Sequence, residues 1–314
     1  MKLEKVLVVH KKSTYQIQAQ EHKEARFLKL MESGSDVVSR VRLAHEEHVE
    51  TLELVESELR RLGISFQSLW RSQVPGIVED IDLMISVGGD GTFLDASHAL
   101  RNVPILGVNS SCSSSFGHFC LGNKDNFQDC LEGIIDERLH PIDILRLELS
   151  IDGVVIQELA LNEVLIAHSS PAATSRYFIN VDGRQEEQRS SGIWVSTPAG
   201  STGSMRSAGG QVSPIDCRSF EYLVREPYTR PGENFVLLNG MLDQAKQMKV
   251  KSMMRTGEVY IDGPHIIYPL SLGEELTIKA SPYSLRAFID RHVNDIFNKV
   301  EAKTESTSCL GENR

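Results

Sequence analysis

The sequence predicts an α/β domain with a parallel sheet over residues 1–142, followed by a mainly antiparallel β domain over residues 143–284. In the first part, short apolar runs alternate with helix-spaced apolar faces, the pattern of parallel strands covered by helices. Near residue 143 the pattern changes to strict alternation, with Leu145, Leu147, Leu149 and Ile151 set between Arg146, Glu148 and Ser150. The later apolar runs are punctuated by Asp152-Gly153, Asp182-Gly183 and Asp262-Gly263. Asp and Gly tolerate the positive φ that a tight hairpin turn demands at both central positions.

In chain order, residues 6–9 form a short apolar strand, and Leu52, Val55, Leu59 and Leu62 mark one face of a helix. Residues 16–40 are polar and weakly patterned, an insertion with partial helix. Further strands are expected at residues 64–70, 82–87 and 104–108, with a helix over 93–100. Asp125 is a candidate N-cap for a helix whose face is Phe127, Cys130, Leu131 and Ile134. Val293, Ile296, Phe297 and Val300 form one more amphipathic face, so residues 285–300 are expected to rejoin the first domain. Residues 301–314 are polar and expected to be a disordered tail.

Composition narrows the function. The 314 residues carry 33 Lys and Arg against 43 Asp and Glu, a net charge of −10, which argues against general affinity for nucleic acid or an anionic membrane. No apolar run approaches the roughly 20 residues that span a bilayer. The N-terminus leads into a strand and not a signal-peptide core. Five cysteines without a Cys-x-x-Cys pair suggest reduced thiols and a cytoplasmic protein more than a disulfide or zinc framework. His45-Glu46-Glu47-His48 is one residue short of the spacing that puts two zinc ligands one turn apart, so no metal site is assigned.

The chemistry concentrates in Gly88-Gly89-Asp90-Gly91-Thr92, which joins the expected strand ending at Val87 to the helix that begins at Phe93. A glycine-rich turn there lets backbone N–H groups approach a phosphate at a helix N-terminus. The Gly-Lys-Ser/Thr ending of a P-loop is missing, and so is the third spaced glycine of the dinucleotide fingerprint. An acid inside an anion-binding loop either works on a metal, accepts a proton from an attacking hydroxyl, or simply caps the helix.

The string resembles the glycine-aspartate loop shared by NAD kinases and the diacylglycerol/sphingosine kinase group. Downstream, Asn162-Glu163, the segment from Thr197-Pro198-Ala199-Gly200-Ser201-Thr202 to Ser207-Ala208-Gly209-Gly210, and Val259-Tyr260-Ile261-Asp262-Gly263 resemble NAD kinase motifs in the family's order. Gly107-Val108-Asn109-Ser110, Phe116-Gly117-His118, Pro171-Ala172-Ala173, Arg189-Ser190-Ser191-Gly192 and Val224-Arg225-Glu226-Pro227 are similar to local features of the plant-type NADH kinases.

The resemblance implies ATP-dependent phosphorylation of the adenosine-ribose 2′-hydroxyl of NADH or NAD+, with Mg2+ accompanying ATP and an active site in the cleft between the domains. It implies Asp90 as the base, Gly88, Gly89 and Gly91 as the phosphate approach, and Thr92 as a hydroxyl donor or cap. Asn162 and Glu163 would hold dinucleotide hydroxyls, Arg189 would contact the dinucleotide, and Thr202 and Ser207 would line the adenine pocket. A homodimer or homotetramer is also implied. Departures are Ser191 where common members have Asp near the nicotinamide, Ser204 for an aromatic, Pro264 for a polar residue, and the longer serine-rich stretch 109–119. A lipid kinase with the same loop, or an inactive dinucleotide sensor, are the alternatives.

Overall fold

The computed structural model describes residues 2–297, which form two compact units. Residues 2–142 and 285–290 make the first, and residues 143–284 and 291–297 the second.

In the first unit β1 (Lys5–His10) lies between β2 (Ser65–Trp70) and β3 (Leu83–Gly88), with β4 (Ile105–Asn109) beyond β3, all parallel. β3 and β4 are buried along their whole length, which is why they read as unbroken apolar runs. The insertion contains α1 (Ala25–Glu32), capped by the Glu24 carboxylate on the N–H groups of Arg26 and Phe27. α2 (Val41–Arg61) packs Val55 and Leu59 into one core with Phe127 and Leu131 of α4 (Phe127–Ile135). The N-cap of α4 is Asn126 and not Asp125; the Asn126 side chain accepts from Asn123 N at 2.7 Å. Between these helices, α3 (Asp90–Ser97) follows β3, and β5 (Cys120–Asn123) adds to β4. The chain leaves along β6 (Ile142–Ile144).

The second unit is two antiparallel sheets. One runs β11 (Arg184–Ser190), β10 (Ser175–Val181), β15 (Gln247–Ser252), β18 (Glu275–Ala280), β7 (Leu147–Ile151) and β8 (Val154–Val155). The other runs β14 (Asn239–Asp243), β13 (Ser219–Val224), β12 (Ile193–Ser196), β9 (Glu163–His168), β16 (Gly257–Ile261) and β17 (Ile266–Leu270). Leu149, Ile179, Val250 and Ile278 from the first sheet share a core with Val164, Ile166, Val195 and Val259 from the second. All three Asp-Gly pairs take positive φ at both residues: 48° and 82° at 152–153, 51° and 81° at 182–183, and 51° and 115° at 262–263.

The C-terminal expectation needs correction. Residues 285–290 return to the first unit, but as a strand: β19 (Leu285–Phe288) pairs parallel with β4. Residues 291–297 group with the second unit and are helical only from 295. Buried Asn294 fixes them there, its Nδ2 donating to Pro198 O at 3.0 Å and Ser213 O at 2.7 Å. Val300 and the expected tail lie outside the described residues.

Candidate active site

β3 runs out at Gly88, Gly89 is the N-cap of α3, and Asp90 is its first residue. Thr92 N and Phe93 N both donate to Gly89 O, and no side chain caps the helix. The Asp90 carboxylate instead accepts from Phe119 N, 2.8 Å from Oδ1. Asp90 is therefore held by the end of the long loop after β4 and not by its own helix.

The three glycines are not equivalent, because at two of them the packing of the protein itself excludes a side chain. A Cβ on Gly88 would run into the side chain of buried Thr92, coming within 2.6 Å of its Cβ, and one on Gly89 would come within 2.5 Å of Ser115 Oγ. Only at Gly91, exposed on the first turn, would a Cβ meet nothing within 4 Å. Thr92 accordingly packs under the turn, with a relative exposure of 3%.

The loop holding Asp90 is built by polar contacts. Asn109 Nδ2 donates to Ser115 O at 3.0 Å, and Ser111 N donates to Asn109 Oδ1 at 3.2 Å. The hydroxyls of Ser111 and Ser113 donate to Glu47 Oε2 at 2.5 and 2.8 Å, and the Ser111 bond, chief among the causes, lowers the Glu47 pKa. His48 on the same turn of α2 is buried, with Nδ1 2.9 Å from Ser110 Oγ and Nε2 3.0 Å from Lys11 O. Burial, followed by the charge of Lys11, drops its pKa to about 4, so it is neutral near pH 7. Sequence inspection weighed residues 45–48 only as a metal motif and missed this bracing.

In the second unit Asn162 precedes β9 and Glu163 begins it. The Asp262 carboxylate, at the Asp-Gly turn after β16, accepts from the N–H groups of Leu161, Asn162 and Glu163 at 2.8, 2.7 and 3.1 Å. On the other side Thr197 N donates to Asn162 O at 2.9 Å, and a Cβ on Gly200 would lie 2.6 Å from the Asn162 carbonyl carbon. The backbone is clamped, yet buried Asn162 Oδ1 and Glu163 Oε2 have no hydrogen-bond partner among the described residues. Burial, then the charge of Asp262, raises the Glu163 pKa to about 7. A buried acceptor without a donor is costly unless a ligand supplies one.

A cavity of about 300 Å³ opens beside Glu163, bordered by Trp194, Ser204, Tyr260 and Pro264. Of the residues expected at an adenine pocket, neither Thr202 nor Ser207 lines it. Ser207 is exposed and its hydroxyl donates to Gly203 O at 3.3 Å, closing its own helical turn. Ser204, flagged only as a departure, is the residue brought there. Arg189, on β11, faces Glu187 at 3.3 Å and Glu233 at 3.9 Å. Ser191 borders a second cavity of about 380 Å³ with His168, Arg225, Glu226 and Tyr260. Ser191 O accepts from Arg225 Nη1 at 3.4 Å. Among the described residues no group of three or more His, Cys, Asp or Glu is placed to hold a metal ion, and no helix is long and apolar enough to cross a membrane.

Comparison with known proteins agrees with this arrangement. Residues 6–139 match the family model for the ATP-NAD kinase N-terminal domain. A probable NADH kinase of Oryza sativa subsp. japonica is 34% identical over 78% of this chain and 82% of its own length. The NADH kinase of Arabidopsis thaliana is 32% identical over 79% of this chain and 86% of its own. The crystal structure of an NAD kinase from Archaeoglobus fulgidus in complex with ATP shares the fold, with a TM-score of 0.69 and 23% identity over 95% of this chain and 98% of that one. With relatives of that similarity spanning most of its length, and a glycine-aspartate loop and Asn-Glu pair set as described, the chain belongs to the NAD kinase family.

Proposed function

We propose that this protein transfers the γ-phosphoryl group of ATP to the adenosine-ribose 2′-hydroxyl of a nicotinamide dinucleotide, with NADH preferred to NAD+. Asp90 accepts the hydroxyl proton as the oxygen bonds to the γ-phosphorus and ADP departs. Asn162 Oδ1 and Glu163 Oε2 accept hydrogen bonds from dinucleotide hydroxyls, and this pair of buried acceptors without donors is the observation that carries the proposal. A ribose diol supplies two O–H donors side by side, which is what the two oxygens lack.

Mg2+ would arrive with ATP and would supply charge neutralisation at the transferring phosphates. Among the described residues no group of three or more His, Cys, Asp or Glu is gathered for a metal, which fits an ion that would be held by the phosphates and waters of ATP while Asp90 stays available as the base.

The preference for NADH rests on Ser191. Where common members carry a carboxylate near the nicotinamide, this chain has a serine whose carbonyl accepts from the Arg225 guanidinium. A cationic oxidised ring loses an attraction at that position, while a neutral reduced ring is indifferent. The lipid-kinase and inactive-sensor alternatives have less support, because the similar proteins are named as NADH kinases.

The test is formation of NADPH and NADP+ by the full chain from each dinucleotide with MgATP. NADPH should form with the higher kcat/KM. Absence of both products would overturn the proposal.

A further inference from the structure

We propose that a basic cavity in the first unit, lined by Lys11, Lys12 and Arg40, binds a chain of condensed phosphates, the polyphosphate portion of the phosphoryl donor. This rests on the kinase reading and assigns the donor a place on this chain.

The cavity measures about 270 Å³, and the hydroxyl-bearing residues Ser13, Thr14 and Ser114 also line it. No carboxylate does, although acids outnumber bases 43 to 33 in the chain. The cations are largely uncompensated. Lys11 is half-buried, has no ion pair among the described residues, and has its pKa lowered by burial and then by the neighbouring Arg71 charge. Arg40 is exposed and likewise has no carboxylate partner among the described residues. Only Lys12 is paired, with Glu21 at 2.7 Å, while its ammonium also sits 3.9 Å over the Trp70 ring.

Lys11 and Arg40 line one cavity with no acid paired to either among the described residues, and an anion of several charges compensates both. Lysine ammonium and arginine guanidinium groups backed by hydroxyl donors suit phosphate oxygens, and three cations suit more than one phosphate. The cavity also adjoins the glycine loop, because Ser114 on its wall precedes Ser115, whose hydroxyl lies against Gly89. A chain of phosphates laid here ends next to the turn that carries Asp90.

The test uses the full chain, the double variant Lys11→Gln with Arg40→Gln, and the control Arg42→Gln. Arg42 lies on the same helix but pairs with Glu46 and does not line the cavity. Calorimetric titration with inorganic tripolyphosphate and with MgATP reads binding of the phosphate chain, and steady-state assays read KM for donor and for NADH separately. Turnover with MgATP or with tripolyphosphate shows which source of the chain the enzyme uses.

The double variant should raise the tripolyphosphate Kd and the donor KM by roughly tenfold or more, as expected for lost charge-assisted hydrogen bonds. KM for NADH and the melting temperature should stay near wild type, and Arg42→Gln should behave as wild type. A donor KM and tripolyphosphate Kd within twofold of wild type would overturn the assignment, and so would an equal rise in Arg42→Gln. If these residues control tripolyphosphate binding but the wild type makes neither NADPH nor NADP+, the cavity assignment stands and the kinase reading falls.

Discussion

Replacing Glu163 by Gln should stabilise the unliganded protein at alkaline pH while weakening its hold on the dinucleotide. Burial and the Asp262 charge raise the Glu163 pKa to about 7, against an ordinary value of 4.5. Between those values the folded chain keeps a proton that the unfolded chain has released. Stability therefore falls as pH rises through this window, and the penalty is complete only above pH 7. Its size at pH 8 is at most about 3 kcal/mol, trimmed by solvent reaching a half-buried carboxylate, and under about 1 kcal/mol at pH 5. Glutamine has the same shape and no charge to desolvate, so urea unfolding should show the variant ahead by about 2–3 kcal/mol at pH 8, with most of the gain gone at pH 5. NADH affinity should meanwhile drop by roughly tenfold, because a charge-assisted bond becomes a neutral one. A variant less stable than wild type at pH 8, or equally advantaged at both pH values, would refute the reasoning. Unchanged NADH affinity would remove Glu163 from the binding site.

Three further outcomes follow from the same geometry. Asp90→Asn keeps an oxygen for Phe119 N but cannot take a proton, so turnover should fall roughly 10²–10⁴-fold with NADH binding largely kept; half the wild-type rate would make Asp90 a structural residue. Gly88→Ala drives a methyl into buried Thr92 and should cost about 1–3 kcal/mol in unfolding experiments, whereas Gly91→Ala should be neutral or slightly stabilising and raise donor KM; equal stability losses would contradict the packing difference. Ser191→Asp should raise the NAD+/NADH ratio of kcat/KM several-fold, and an unchanged ratio would discard the charge explanation.

What could be read from the sequence was what local pattern encodes. β3 and β4 are buried end to end, so their apolar runs were plain, and the three Asp-Gly turns announced their positive φ in two letters. β5 was invisible because four residues, only one of them fully buried, carry no periodicity. The final amphipathic face was given the wrong neighbour, and Ile296 on it is exposed, since the anchor is a single polar residue, Asn294, that hydropathy does not weigh.

The candidate site divides along the same line. Asp90, Asn162 and Glu163 stand in recognisable strings, but what orients them lies far away in the chain. Asp262 reaches back about a hundred positions to clamp Leu161, Asn162 and Glu163, having been legible only as a turn residue. Glu47 braces a loop 64 residues ahead through Ser111, and Phe119 N holds Asp90 from 29 residues beyond it. A carboxylate that gathers backbone N–H groups or hydroxyls looks, in sequence, like any acid at a helix surface or a turn. The serine run at 110–115 did contain a clue, since closely spaced hydroxyls in a half-buried loop need acceptors, and an ionised carboxylate can take several at once. With Asp90 tied to this loop and the loop tied to Glu47, the position of Asp90 depends on a contact with α2, some forty residues earlier in the chain, which no local string could announce.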